Sequence, residues 1–490
     1  MARARDGKAP TVVHLTAEYW PYARTGGLGE AVEGIARGQA RSKVRTFAML
    51  PLYRAVRETG VPLEPLAAPR AVAVGPMADA VRLWRPAGAP DGAPAVIFVD
   101  HPPSFDRGGI YGEAGADYPD NAQRFALFCR AALGALTGLA RPPIVLHTHD
   151  WHTALAPVYL RTILAGDPFF DRMASVLSVH NAGFQGHFPR ESLADVGLPD
   201  SLYDWRWLEW FGRANWLKGG LAFTDFATTV SPTHAHELRT EVGGFGLHDM
   251  FIGLKDRFIG ILNGIDPDLW DPATDPRIAR TFSAQDLGGK ERCKAALQDA
   301  YGLPPQPRTP LIGMSARLVS QKGLDLILGA HFLWAADAQF VFLGQGEGRY
   351  ETALREIAEA VPDRVAVETG FTDEREHHLL AGADILLMPS LYEPCGLTQM
   401  RAQRYGALPV GRRVGGLADT ILDQETGFLF DDYTPGAVEL AVRRALALYE
   451  ERDAWERHMR DAMARDFSWS CSVTRYLEVY QRALSRRGRA

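Results

Sequence analysis

Seven short segments place chemically useful side chains within a few positions of one another. The first is EYWPYARTGGLGE, residues 18–30. Gly26, Gly27 and Gly29 form a glycine-rich turn ahead of a helix expected to start near Leu28. Without side chains, backbone N–H groups can approach an anion closely, and a helix N-terminus adds favourable partial charge. Arg24 precedes the turn and could clamp a phosphate. A tight strand-to-helix turn with a surface arginine would read the same way. The spacing is not G-x-G-x-x-G, so the dinucleotide fingerprint is absent.

The second segment, HTHDWHT at 147–153, gathers three histidines and an aspartate. A metal site is the weakest of three readings, because the histidines are divided between a strand end and a helix start. Asp150 reads as an N-cap ahead of WHTALAPVYL. Histidine and aspartate also suit sugar hydroxyls, since between them they donate and accept. In VHNAGFQG, residues 179–186, His180 and Asn181 end a strand and enter a glycine-rich loop. His180 is either a buried structural histidine or a ligand contact, and its place at a strand end favours the contact.

Further on, SARLVSQKGLDL at 315–326 sets Arg317 and Lys322 on either side of a strand-to-helix loop. Two cations there could neutralise a diphosphate, or they could be solvated surface charges. In MPSLYEPCGLTQ, residues 388–399, Glu393 precedes Pro394, and Cys395 to Thr398 open a helix. Such a carboxylate can hold sugar hydroxyls while free N–H groups face phosphate oxygens, or it can simply favour the helix dipole. Cys395 lacks a partnered base and reads as a half-exposed packing thiol. VGGLADT at 414–420 adds another glycine turn. The rings of WRWLEWF, residues 205–211, could stack on sugars or pack in a core.

The elements that must position these residues are short apolar runs, each followed by a helical pattern. They begin at Val12, Arg45, Ala95, Ile144, Ser175, Asp225, Ile259, Leu311, Gln339, Val365, Asp384 and Thr426. Runs apolar along most of their length are strands buried on both faces of a parallel sheet. Alternation with helices predicts an α/β fold of two doubly wound domains. The break falls in NGIDPDLWDP, residues 263–272. The expected division is 1–262, 263–466, and a helix over 467–490 that packs back on the first domain. Pro62–Pro94 reads as a loose hairpin insertion. Ligands of open α/β sheets bind beyond the carboxyl ends of strands, where the segments above lie.

Bulk properties exclude several classes. A chain of 490 residues with 46% hydrophobic and 23% charged residues is an ordinary globular protein. A net charge of −6 without a basic block argues against nucleic acid as a partner. Cys129, Cys293, Cys395 and Cys471 form no C-x-x-C pair, which points to reduced thiols. The basic start MARARDGKAP is not followed by a signal-peptide core, and no run approaches the ~20 apolar residues of a membrane span. A cytoplasmic protein with no membrane partner is expected.

Taken in order, TGGLGE, HTHDWH, VHNAGFQG, NWLKGGL, TTVSPTHAHE, ILNGID, SARLVSQKGLD, EPCGLTQ and VGGLADT resemble the motif series of the bacterial glycogen and plant starch synthase family. These are retaining glycosyltransferases of the GT-B type, and the resemblance covers nearly the whole chain. It implies two Rossmann-like domains facing across a cleft, with the nucleotide mostly on the second. It implies a hexosyltransferase moving glucose from ADP-glucose to glycogen or a malto-oligosaccharide, with no cofactor and no metal. By position, Arg317 and Lys322 would neutralise the leaving diphosphate and Glu393 would hold the glucosyl hydroxyls. His180 would stand at the glucose ring, with Asp150 and Asn263 lining the same pocket. Gly396, Leu397 and Thr398 would meet the distal phosphate, and Phe371 would stack on the base where the family often has tyrosine. Arg24, with Gly26 and Gly27, occupies the family's K-x-G-G-L signature, but the family residue is lysine. Arginine is longer and forked, so donor geometry there is open. Arg401 stands where many GT-B enzymes carry a ribose-binding acid.

The chemistry implied needs fixed positive charge at the departing diphosphate rather than a general acid. No D-x-D cluster calls for a divalent ion, so activity is expected to survive chelation. The chain offers no confident nucleophile, which leaves front-face attack by the acceptor hydroxyl. Alternatives are a UDP-glucose-using transferase of the same fold and a catalytically silent glucan-binding protein. A nicotinamide dehydrogenase is disfavoured, because Gly344, Gly346 and Gly348 have the wrong spacing.

Overall fold

A computed structural model describes residues 10–88, 92–113 and 115–488. The basic start, residues 1–9, and residues 89–91 of the expected hairpin insertion lie outside the described residues. The chain divides into two compact units. Unit 1 holds the chain to Val230, Ala235–Ile261 and the chain from Trp469; unit 2 holds Ser231–His234 and Leu262–Ser468. No helix among the described residues is long and apolar enough to cross a membrane.

Unit 1 has seven parallel strands, all but the edge strand Phe258–Gly260 buried along most of their length. In spatial order they are Ala95–Asp100, Thr46–Pro51, Thr11–Leu15, Ile144–His149, Ala174–Val179, Phe226–Thr229 and Phe258–Gly260. Chain order therefore reverses between Thr11–Leu15 and Ile144–His149. The 62–94 region is more ordered than a loose hairpin. Met77–Pro86 pairs antiparallel with Ala95–Asp100, and Leu63–Pro65 and Arg70–Val74 pair antiparallel with Met77–Pro86.

One face of this sheet is covered by the Gly27–Arg41 helix and the C-terminal helix Trp469–Arg487, which pack together over Val12, Val145 and Val176. The two helices approach closely because the first carries glycines. A Cβ on Gly34 would lie 2.1 Å from Trp469 Nε1, and one on Gly38 would lie 2.6 Å from Val473 Cγ2. Side chains alternate along a strand, so the same face carries His14 two residues after Val12, and His147 and His149 after Val145. Parallel register sets His14 beside His147 and His149 beside Ser178.

Unit 2 has six parallel strands in the order Val365–Glu368, Gln339–Leu343, Leu311–Ser315, Ile385–Met388, Leu408–Arg412, Phe428–Phe430. Numbered along the chain this is 3-2-1-4-5-6, the doubly wound order of nucleotide-binding sheets, with its reversal between the Leu311 and Ile385 strands. Leu408–Arg412 is the strand that the sequence pattern does not signal. It carries Pro409, which normally argues against an interior strand.

Candidate active site

In both units several candidate residues follow the two strands that flank the reversal of order, the place where open α/β sheets bind ligands, while His180 follows Ala174–Val179, Asn263 follows Phe258–Gly260 and Phe371 follows Val365–Glu368. In unit 2, Arg317 and Lys322 follow Leu311–Ser315, and Glu393 to Thr398 follow Ile385–Met388. Lys322 Nζ lies 2.5 Å from Glu393 Oε2, and Ser390 Oγ donates to the same oxygen at 3.0 Å. Lys322 is joined to the next strand by its own loop. Leu391 N donates to Gln321 O at 2.8 Å, and Gly323 sits so close to Pro389 that a Cβ would lie 2.1 Å from its carbonyl oxygen. Gly323 has φ +77°, a conformation natural to glycine.

Glu393 is fixed from the other side by the VGGLADT turn. Gly416 N donates to Glu393 O at 3.1 Å. A Cβ on Gly415, whose φ is +43°, would lie 1.9 Å from Glu393 O, and one on Gly416 would lie 2.1 Å from Cys395 O. Those glycines therefore serve a backbone-to-backbone contact. Gly344 and Gly346 do the same for the Arg317 loop, since Cβ atoms there would lie 1.8 Å from Ala316 O and 2.2 Å from Leu318 O. Arg317 itself is exposed, and its guanidinium has no hydrogen bond or ion pair among the described residues. It makes no ion pair with Glu393, unlike Lys322.

Gly396 has φ +71°, Leu397 precedes the helix Thr398–Arg404, and Thr398 Oγ1 donates to Glu376 Oε1 at 3.4 Å. Asn263 is buried against the Cys395 thiol, and its Oδ1 has no partner among the described residues. Phe371 is 44% exposed, a ring open to a planar ligand. Cys395 is buried rather than half-exposed, and burial drives its thiol well above the ordinary range, which rules out a thiolate nucleophile. Arg401 is buried, bonded to Glu376 Oε2 at 2.9 Å and stacked 4.2 Å over the Trp270 ring. It cross-links the core of unit 2.

In unit 1 the turn after Thr11–Leu15 is organised by Glu18, a buried carboxylate the motif reading passed over. It accepts from Thr25 N at 2.8 Å, Thr25 Oγ1 at 2.8 Å, Gly26 N at 3.3 Å and Tyr111 Oη at 2.6 Å. Its place three residues past a strand end was the available signal. Arg24 bonds Glu30 at 2.8 Å, so the arginine is held over the first turn of the following helix. Gly26 and Gly27 are exposed, and a Cβ on Gly26 would meet nothing within 4 Å. That glycine leaves room rather than relieving a clash.

Asp150 is not a helix cap. The cap position belongs to His149, which makes no side-chain cap bond. Asp150 Oδ1 instead accepts from His180 N at 2.7 Å and Asn181 N at 3.4 Å, tying the two strand ends together. Its φ of +55° is unusual for a non-glycine residue, though aspartate tolerates it. Burial raises its pKa to about 7, despite those amide bonds.

His14, His147 and His149 have ring atoms within 4.8 Å of one another, close enough for an ion. Each of their ring nitrogens already has a hydrogen-bond partner, however, so a cation would have to break those bonds. Of the WRWLEWF rings, Trp207 packs on Phe223, while Trp205 and Phe211 are 72% and 82% exposed.

Residues 11–252 match the starch synthase catalytic domain, and residues 302–462 match glycosyl transferases group 1. A glycogen synthase of Anaeromyxobacter dehalogenans is 42% identical over 477 residues, covering 96% of this chain and 98% of that protein. Glycogen synthase 2 of Geobacter sulfurreducens is 40% identical over 485 residues, covering 97% of this chain and 100% of that protein. Among solved structures, the catalytic domain of starch synthase IV from Arabidopsis thaliana, bound to ADP and acarbose, matches with a TM-score of 0.90 and 34% identity. That match covers 98% of this chain and 100% of the plant chain. A sucrose-phosphate synthase from Thermosynechococcus elongatus shares the fold alone, with a TM-score of 0.62 and 16% identity. With its paired Rossmann-like units of the GT-B type, the chain belongs to the glycogen and starch synthase family of glycosyltransferases.

Proposed function

We propose that the protein lengthens an α-1,4-glucan by transferring glucose from ADP-glucose with retention of configuration, without a metal ion. The observation that carries this reading is the Lys322–Glu393 pair at the reversal point of unit 2, with the unpaired Arg317 on the same loop as Lys322. Lys322 has three donors and uses one on Glu393, which leaves two for phosphate oxygens. Glu393 Oε2 is taken by Lys322 and Ser390, and its other oxygen is available to glucosyl hydroxyls. Arg317 adds a planar fork suited to a diphosphate. Together they would stabilise the charge that develops as the anomeric bond breaks. Asn263, Gly396, Leu397 and Thr398 complete the donor site, and Phe371 stacks on the base.

In unit 1, Arg24 with Gly26 and Gly27 would approach the donor phosphates, and His180 and Asp150 would meet the glucose. The acceptor's 4-hydroxyl attacks from the face that the diphosphate leaves, and a departing phosphate oxygen takes its proton. Closure around both substrates keeps water from the donor. ADP, bound by the plant starch synthase, is the nucleotide this donor would release.

The test is glucose transfer to glycogen in EDTA, with ADP-glucose and UDP-glucose compared. Wild type should transfer from ADP-glucose preferentially, and Glu393→Ala should lose at least about 10²-fold in kcat/KM. Equal rates for wild type and Glu393→Ala, or complete loss of wild-type activity on chelation, would contradict the proposal. Preference for UDP-glucose would overturn the donor assignment alone.

A further inference from the structure

The buried polar residues on the helix-covered face of the unit 1 sheet form one continuous chain of hydrogen bonds. His180 Nε2 meets His149 Nδ1 at 3.0 Å, and His149 Nε2 meets His14 Nδ1 at 3.0 Å. His14 Nε2 meets Gln39 Oε1 at 3.0 Å, and Gln39 Nε2 donates to Tyr480 Oη at 2.8 Å. Tyr480 Oη meets His147 Nδ1 at 2.7 Å, and His147 Nε2 meets Ser178 Oγ at 2.7 Å. Ser178 Oγ then meets Thr228 Oγ1 at 2.6 Å. The chain runs from one strand end, through the first and last helices of the unit, and back into the sheet.

Its direction follows from the orientation of the Gln39 amide, which valence then carries to every other link. All four histidines are buried, and burial lowers their pKa values, to about 4 for His14 and about 3 for His180, so each ring is neutral with one N–H. Gln39 turns its amide N–H to Tyr480 and its carbonyl to His14, so His14 must donate from Nε2 and accept at Nδ1. His149 must then donate from Nε2, and so must His180. On the other branch Tyr480 accepts from Gln39 and donates to His147 Nδ1, so His147 donates from Nε2 to Ser178. Every link is one donor meeting one acceptor. His180 Nδ1 is the single ring nitrogen of the four histidines without a hydrogen-bond partner among the described residues.

We propose that Gln39 and Tyr480 are positioning residues that fix the tautomer of His180, so that its Nδ1 is presented, unprotonated, as an acceptor for a hydroxyl of the bound sugar. The inference deepens the functional reading above, and rests on it for the identity of that sugar. Asp150 supports the arrangement by holding the His180 backbone N–H at 2.7 Å. In a continuous hydrogen-bond chain one wrong orientation reverses every link, so a residue distant along the chain can decide what His180 offers.

The tautomers can be read without any substrate. Full-length protein labelled with 15N-histidine, near neutral pH, is examined by long-range 1H–15N correlation, with signals assigned through single histidine variants. His14, His147, His149 and His180 should all be protonated on Nε2. A proton on Nδ1 of His180, or opposite tautomers at His14 and His149, would overturn the relay. Gln39→Leu removes the acceptor of His14; both tautomers of His180 should then appear, and kcat/KM should fall about tenfold, the weight of one hydrogen bond. Gln39→Glu keeps that acceptor and should restore the Nε2–H form at His180. An unchanged His180 spectrum in Gln39→Leu would also overturn the proposal, and the wild-type spectrum decides if that variant does not fold. If the wild type shows the expected tautomers but transfers no glucose, the relay stands and the functional reading falls.

Discussion

Lys322 has Glu393 and Ser390 around it and a glycine behind it, and the cost of disturbing each can be set apart. Lys322→Ala should leave the fold intact and lower kcat by roughly 10²–10³, because it removes a fixed donor facing the charge of the transition state. Steady-state kinetics with matched circular dichroism spectra check this; a change in KM alone would mean uniform binding instead. Gly415→Ala should act indirectly. The added Cβ would press on Glu393 O at 1.9 Å from a left-handed backbone, at a cost of about 1–3 kcal/mol. Its urea midpoint should drop together with activity. That Lys322 and Glu393 lie beyond strand ends was legible in sequence, because strands announce themselves by apolar runs. The cap reading of Asp150 fails because capping is a local rule, and here tertiary bonds to His180 and Asn181 took the carboxylate away from its own helix. The Glu18–Tyr111 and His147–Tyr480 contacts join residues far apart in the chain, and no local pattern encodes them.

At the scale of elements, the C-terminal helix depends on two glycines of the Gly27–Arg41 helix. Gly34→Ala should drive a methyl into the Trp469 ring and cost about 1–3 kcal/mol, read from urea unfolding. Gly134→Ala is the internal comparison. That glycine is exposed in the helix Asn121–Leu139 with nothing within 4 Å of its Cβ position, so alanine should stabilise by about 0.5–1 kcal/mol. Equal effects of the two substitutions would contradict the packing account. The parallel strands of both sheets were mostly legible because strands buried on two faces read as continuous apolar runs, as ILLM does. Leu408–Arg412 was not, since Pro409 and a following glycine mimic a loop. The close helix contact over Gly34 was not legible either: a glycine in a helix does not say which side chain it makes room for.

For the whole molecule, buried histidines set the response to acid. His14, His147, His149, His152 and His180 all have pKa values lowered by burial, while in the unfolded chain each protonates near pH 6.5. Their contribution to stability is complete above about pH 6.5 and is lost as pH falls toward their folded values, by about 1.4 kcal/mol per pH unit for each group that charges only when unfolded. Asp150 opposes this, since its raised pKa of about 7 makes its own contribution fall as pH rises from about 4 to 7. Five groups outweigh one, so the thermal midpoint should decline steeply between pH 6.5 and pH 4 (the limits set by these pKa values). A flat profile across that window would show that the cluster is not buried and neutral. The claim on which the functional account rests is that diphosphate is held beyond the strands flanking the reversal of order in unit 2. Its most direct test is a crystal structure of the protein with ADP, grown in EDTA. The account predicts both phosphates beside Arg317 and Lys322, next to Glu393; ADP seated elsewhere, with those three side chains untouched, would contradict it.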